Sequence, residues 1–142
     1  MLMEPYDPWV ALDSVGRVTL LESDLRAGRR GQITFSTRVI ELSRDLLEVE
    51  RTCTLAHELV HLERGPVISR HTAREERIVA SIAARRLIDL ERLADALTWS
   101  TDCTELADEL GVDVRTVKVR LAMLSDKERQ LLAALHTNDA TT

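Results

Sequence analysis

The spacing of apolar residues changes near Ser43, and this change limits the folds that the chain can adopt. Three segments before it are rich in β-branched residues or alternate apolar with polar positions: residues 15–21, 32–36 and 38–42. Such segments predict short strands. After it, Leu55, Leu59 and Leu62 recur at helical spacing until Gly65 ends the run. We therefore predict an α+β fold in which a short, mostly antiparallel sheet packs on two long helices and a helical region follows.

Capping residues predict where the other helices begin and end. Asp7 followed by Pro8 opens a short helix before the strands, a second long helix begins near Thr72, and Asp89 caps another. Further signals mark three short helices near the C-terminus: Asp102 with Glu105, Gly111, Asp113, and Ser125 with Glu128. These boundaries divide the chain into a domain of residues 1–98, a helical region of 99–136 and a flexible tail of 137–142.

Composition and charge exclude several classes of protein. The net charge of -5 opposes a phosphate backbone, and an aromatic content of 3% leaves few rings for stacking on bases. Residues 1–12 lack the basic start and unbroken apolar run of a signal peptide, and no stretch has the length of a membrane span. Two separated cysteines do not form a disulfide framework. We expect a cytoplasmic protein without a membrane partner.

The motif His57-Glu58-Leu59-Val60-His61 lies within the first long helix and has the form HExxH. Residues four apart lie on one helical face, so both imidazoles can reach one metal ion. Glu58 is rotated away from them and can address a water molecule beside that ion. The alternative is a pair of partly exposed histidines on an amphipathic helix.

A catalytic zinc ion needs a third protein ligand. The HExxHxxGxxH pattern of metzincins is excluded, because Gly65 comes one position late and Val67 stands where the third histidine belongs. Glu75 and Glu76 begin the second long helix instead, and acids favoured by the helix dipole are the alternative explanation for both. We predict Glu76 as the ligand, since it lies three residues before Val79 on the edge of the inward stripe, and expect Glu75 to point more towards solvent.

These residues resemble the ImmA/IrrE family of metallopeptidases over roughly residues 15–124. The segment 54–61 matches the family's HExxH helix, and 76–84 matches its Glu-x-x-Ala-(Asn/Asp)-x-Phe-Ala-Ala helix, with Ala80 in place of Asn or Asp and Ile82 in place of Phe. The resemblance implies a zincin-like, gluzincin-type domain. It also implies a zinc-dependent endopeptidase that cleaves a helix-turn-helix repressor, often encoded beside it in phage, mobile-element or stress-response operons. Glu58 would be the general base and His57, His61 and Glu76 the zinc ligands.

Residues 105–121 look like a helix-turn-helix, with Thr116, Lys118 and Arg120 on the second helix. DNA contact is disfavoured because residues 101–135 hold seven acids and five bases. We expect these helices to brace the catalytic domain. The alternative function is a regulator that keeps the zincin fold and works by binding DNA or protein.

Three further features are left with open alternatives. The seven arginines from Arg64 to Arg92 form either a solvated helix face or a surface for an acidic segment. The group that stabilises an oxyanion is not singled out among Tyr6, His71 and the arginines. Cys53 shares the face of His57 and is expected to be a buried core residue more than a ligand or a reactive thiol.

Overall fold

The computed structural model describes residues 4–140, and for residues 136–140 the backbone alone. Its helices and strands follow in chain order: α1 Pro8–Val15, β1 Thr19–Ser23, β2 Gly31–Thr34, β3 Val39–Ser43, α2 Glu48–Arg64, α3 Thr72–Leu87, α4 Leu90–Leu97, α5 Cys103–Leu110, α6 Val114–Ala122 and α7 Asp126–Ala140. A single 3-10 turn, Ser69–His71, precedes α3. The predicted α+β class is confirmed.

The three strands form a mixed sheet in the order β1-β3-β2. β2 and β3 are antiparallel, with Ile33 opposite Ile40, whereas β1 runs parallel to β3. The prediction of a mostly antiparallel sheet is therefore wrong for β1. Alternation along a strand specifies which residues face the core but not which strand lies beside it. The connection of residues 24–30 carries the chain past the central position, which β3 then fills.

The first strand also begins later than predicted. Val15 is the last residue of α1, and Gly16 ends that helix with a φ of 69°. A positive φ is readily adopted by glycine, so the helix stops there and β1 starts at Thr19. The predicted N-cap is confirmed, because the Asp7 carboxylate accepts a hydrogen bond from the Trp9 backbone N–H at 2.9 Å.

One face of α2 packs on the sheet. Ile40 and Leu42 of β3 are completely buried against Leu55 and Leu59 of α2. Burial of each such side chain contributes about 1.5–3 kcal/mol. This contact orients α2 relative to β2 and β3, and so determines where the histidines of α2 point.

The opposite face of α2 belongs to a second core shared with the later helices. Ala56 and Val60 of α2 lie in one cluster with Val79 of α3, Leu106 of α5 and Val117 of α6. α6 packs directly on α3. The helices after residue 98 therefore bury their apolar faces against the pair α2–α3.

Polar contacts made by two arginines link α6 to α2 and to the end of α3. Arg120 is 1% exposed, and its Nε donates a 2.7 Å hydrogen bond to the Ile88 carbonyl at the end of α3. Arg30, which precedes β2, contacts both Glu50 of α2 and Asp113 at the start of α6 at 3.0 Å. These contacts fix α6 beside both α2 and α3.

The predicted caps of the C-terminal helices are confirmed. Carboxylates cap α4, α5 and α6 by accepting backbone N–H bonds, and their residues are Asp89, Asp102 and Asp113. Gly111 ends α5 in the left-handed conformation, and Ser125 and Glu128 exchange two bonds at the start of α7. The predicted tail of residues 137–142 begins within α7, which is helical to Ala140, and residues 141–142 lie outside the described part.

Candidate metal centre

The two long helices bring three of the predicted residues together. His57 and His61 lie one turn apart on α2, with ring centroids separated by 4.9 Å. The Glu76 carboxylate of α3 contacts both, with His57 Nε2–Oε2 at 2.9 Å and His61 Nε2–Oε1 at 2.8 Å. One candidate ligand atom from each residue lies within 4.8 Å of the others. The arrangement is possible because Gly65, with a φ of 84°, ends α2 and lets the chain return into α3.

The chemistry of this donor set fits a divalent cation. Two imidazole nitrogens and one carboxylate oxygen are the ligands of the His₂Glu class of catalytic zinc sites. Both Nε2 atoms point at the same carboxylate, so the three donors already converge on one region. Three protein ligands leave a tetrahedral ion with a position for water or substrate.

Glu75 has a different environment from the one predicted. Its side chain is buried, and Arg64 binds both of its oxygens, at 2.6 and 3.0 Å. The Arg64 guanidinium holds the pKa of Glu75 below its usual value. The expectation that Glu75 points to solvent is wrong, because the buried stripe of α3 runs through Glu75, Val79 and Ala83 at a spacing of four.

Glu76, one residue later, faces the α2 histidines from the edge of the helix pair. Its side chain is 51% exposed. The residue predicted as third ligand thus meets the histidines from a position in the cleft wall, at the edge of the buried stripe of α3.

Glu58 is buried beside the three convergent residues, with 5% of its surface exposed. Burial, and then the negative charge of Glu76, raise the pKa of Glu58 to about 7, although Arg29 opposes the rise. A carboxyl group with such a pKa can both take and return a proton near neutral pH. Burial also lowers the pKa of His57, against the opposing contact with Glu76. A neutral imidazole is the form that binds a metal.

Gly31 is a site residue that the sequence pattern did not indicate, because the second predicted strand starts one residue later, at residue 32, whereas β2 begins at Gly31. A Cβ atom at Gly31 would lie 2.6 Å from Thr54 Cγ2 and 3.3 Å from Glu58 Oε1. The absence of a side chain therefore lets β2 approach α2 closely beside Glu58. The available signal was a glycine at the start of a strand, which often marks a close backbone approach.

A cleft of about 950 Å³ opens over these residues between β2, α2, α3 and α6. Its walls include His57, Glu58, His61 and Glu76. The C-terminal region contributes to the same cleft through side chains of α6, namely Arg115, Thr116 and Val119. The cleft is therefore formed jointly by the predicted catalytic domain and the helical region.

The cleft bears on the candidates for the oxyanion-stabilising group and on the roles of Ala80 and Cys53. Among the described residues, neither Tyr6 nor His71 lines it, and arginines do. Ala80 lines the cleft one turn after Glu76, so an apolar methyl group occupies the place of the family's Asn or Asp. Cys53 is a buried free thiol whose pKa is raised by burial, which agrees with a core residue.

The seven arginines between Arg64 and Arg92 do not form one uniform face. Three of them pair with carboxylates of the chain: Arg64 with Glu75, Arg85 with Glu128, and Arg86 with Glu63. Arg77 differs from these three because it lines the cleft.

Comparison with known proteins supports the same identification. The family model of the IrrE N-terminal-like domain, a peptidase family, matches residues 16–122 and so most of the chain. The chain belongs to this family. The resemblance predicted from the HExxH and α3 segments is thereby confirmed, and the protein has a function of the metallopeptidase type. No curated protein and no solved structure gives a significant match. In the part of the chain that the structure describes, no helix has both the length and the apolar character of a membrane span.

Proposed function

We propose that the protein is a zinc-dependent endopeptidase that uses Glu58 as general base. The observation that carries the proposal is the convergence of His57 and His61 Nε2 on the Glu76 carboxylate, at 2.9 and 2.8 Å, in a cleft that Glu58 also lines. The four residues come from two helices that the packing of the sheet and the C-terminal helices holds in place. Family membership supports a peptidase as the kind of enzyme.

His57, His61 and Glu76 would hold the zinc ion. When bound, zinc supplies a Lewis acid that lowers the pKa of water and polarises a carbonyl group. Glu58 takes the proton of the attacking water at its carboxylate oxygen and then passes it to the nitrogen of the leaving amine. Only 5% of the surface of Glu58 is exposed, so little of this carboxylate is in contact with solvent. A general base of this kind contributes a rate factor of about 10²–10⁴.

The edge strand β2 is the element that can pair with an extended substrate. β3 is excluded from this role because it is the central strand, with β1 on one side and β2 on the other. β2 lines the cleft from Gly31 to Thr34 and lies beside α2. Main-chain hydrogen bonds along such an edge bind a peptide without regard to its side chains. Selectivity must then come from the other walls of the cleft.

A helix-turn-helix repressor is the protein substrate that the family resemblance implies, and we propose it for this chain. The test is co-expression of the chain with the repressor encoded nearest to it, followed by mass spectrometry of the repressor. The wild type should generate a discrete fragment. Glu58→Gln should retain about one zinc ion per chain and lower the cleavage rate by about 10²–10⁴. Elemental analysis of both proteins provides the control for metal content.

Regulation by binding is the second candidate function, favoured by the helix-turn-helix-like pair α5–α6, whose Arg115 and Lys118 are exposed. The apolar faces of α5 and α6 argue against this role, because Leu106 and Val117 are buried in the core. The same co-expression distinguishes the two functions. If the promoter that the repressor controls is released equally by wild type and by Glu58→Gln, and neither strain contains a repressor fragment, the enzyme proposal is wrong.

A further inference from the structure

Four arginines line the cleft of the candidate metal centre, and one of them, Arg30, pairs with Asp113. The other three come from three different parts of the chain. Arg29 precedes β2, Arg77 lies on α3 and Arg115 on α6. All three are exposed. Within residues 4–135, none of the three forms an ion pair or a side-chain hydrogen bond. Their guanidinium groups are therefore available to a ligand in the cleft.

The carboxylates around the cleft have other partners. Glu75 is bound by Arg64, and Asp113 is bound by Arg30. Glu58 and Glu76 belong to the candidate metal centre, where a divalent cation would offset their charge. With that cation bound, the three arginines would be the charges of the lining that have no partner, although the whole chain carries a net charge of -5. Charge of one sign in a concave site raises the local concentration of oppositely charged groups.

Arg115 is the best positioned of the three cations. Its helix begins at Asp113, whose Oδ1 accepts the Thr116 N–H at 2.8 Å and whose Oδ2 meets Arg30 at 3.0 Å. Arg120 anchors the same helix through its bond to Ile88. Arg115 lines the same cleft as His57 and Glu76. Arg115 is consequently held in the wall of the cleft by a helix that is anchored near both of its ends.

We propose that Arg115, assisted by Arg29 and Arg77, selects protein substrates that carry an Asp or Glu side chain close to the scissile bond. The C-terminal helices are then part of the substrate site as well as a brace. A guanidinium binds a carboxylate through two parallel hydrogen bonds, which adds direction to the attraction. This inference rests on the proposed peptidase function. Arg115 is a specificity residue that touches the substrate away from the reacting atoms.

A binding experiment tests the inference without requiring turnover. The full chain carrying Glu58→Gln, loaded with zinc, is titrated with two dansyl-labelled degenerate peptide mixtures that differ only in a fixed central Glu or Gln. The Glu mixture should bind about tenfold more tightly, the effect of one charge-assisted contact, and the advantage should shrink as salt is added. Equal affinities overturn the inference, as does binding too weak to measure for both mixtures.

Two matched variants locate the effect. Arg115→Glu should abolish the preference for the Glu mixture. Lys118→Glu makes the same change of charge three residues further along α6, at a position that does not line the cleft, and should retain the preference. Equal loss in both variants assigns the effect to the overall charge of α6 and overturns the proposal.

Cleavage of the same mixtures by the chain with Glu58 intact separates selectivity from transition-state stabilisation. Arg115→Ala should raise KM for the Glu mixture and leave kcat unchanged. An equal fall of kcat for both mixtures would place Arg115 at the oxyanion and contradict the inference. If no hydrolysis occurs while the binding preference and its Arg115 dependence hold, only the proposed activity fails. If both mixtures are hydrolysed equally well, the inference about Arg115 is wrong and the proposed peptidase activity stands.

Discussion

The helix pairs α2–α3 and α5–α6 are built alike, but polar side chains meet between the first two helices and apolar side chains between the second two. Each first helix ends at a glycine with positive φ, 84° at Gly65 and 69° at Gly111. At the first junction His57, His61 and Glu76 converge, whereas α5 and α6 bury Leu106 and Val117. Polar groups that meet in this way are costly to arrange unless they are used, while the apolar junction stabilises the fold. The polar junction of α2–α3 is therefore the place of the proposed chemistry, and the apolar junction of α5–α6 supports the fold.

The largest expected effect tests the polar junction through two adjacent acids. Glu76→Gln should weaken zinc binding by about a hundredfold or more, since loss of an outer partner alone costs 10- to 100-fold. Glu75→Gln should keep the zinc stoichiometry but lower the unfolding midpoint, because Arg64 loses its partner. Competition with a chelator measures the first effect and thermal unfolding the second. Loss of zinc in Glu75→Gln with retention in Glu76→Gln would reverse the assignment of the ligand.

The apolar junction should respond in stability and not in chemistry. Leu106→Ala should reduce the free energy of unfolding by about 2–5 kcal/mol, because it opens a cavity in the core shared with α2 and α3. Leu131→Ala on α7, where the side chain is 47% exposed, is the control and should cost much less. Urea titration followed by circular dichroism measures both. A small effect of Leu106→Ala would mean that α5 does not brace the catalytic helices.

Gly31 tests how closely β2 and α2 must approach. Gly31→Ala places a methyl group against Thr54 Cγ2 and should destabilise the protein by about 1–3 kcal/mol. Because Glu58 Oε1 is another neighbour, at 3.3 Å, kcat should fall while zinc content stays constant. The double variant Gly31→Ala with Thr54→Ser lacks the clashing methyl group and should recover most of the lost stability. Failure of this rescue would place the cause of the destabilisation outside the contact with Thr54.

The smallest expected effect is the pH dependence of the α7 cap. The Ser125 backbone, and further the charges of Arg120 and Arg85, lower the pKa of Glu128. A folded-state pKa below the unfolded one gives stability that is present above the unfolded value, about 4.3, and is lost as pH falls through the folded value. The stability difference between wild type and Glu128→Gln should therefore shrink below about pH 4. Chemical unfolding at several pH values measures this stability difference. A difference that does not depend on pH would mean that the charge of Glu128 does not stabilise the start of α7.

Local patterns were sufficient to predict the HExxH helix, the helix caps and the family, and these predictions agree with the structure and the family match. The reason is that spacing along one helix determines which residues share a face, and a cap needs only its own first turn. The motif alone was enough to select His57, Glu58 and His61 as candidates, without knowing which elements lie beside α2. The choices of zinc as the metal and of a repressor as the substrate remain predictions.

Contacts between distant segments were decided by the tertiary structure alone. Buried Glu75 of α3 meets Arg64 of α2, and β3 lies at the centre of the sheet between antiparallel β2 and parallel β1. Gly31 acquires its role from Thr54, and Arg115 enters the cleft only because α6 packs on α3. In each case the property depends on which surface the packing places opposite a residue. Periodicity along the chain specifies a face but not the partner that will cover it.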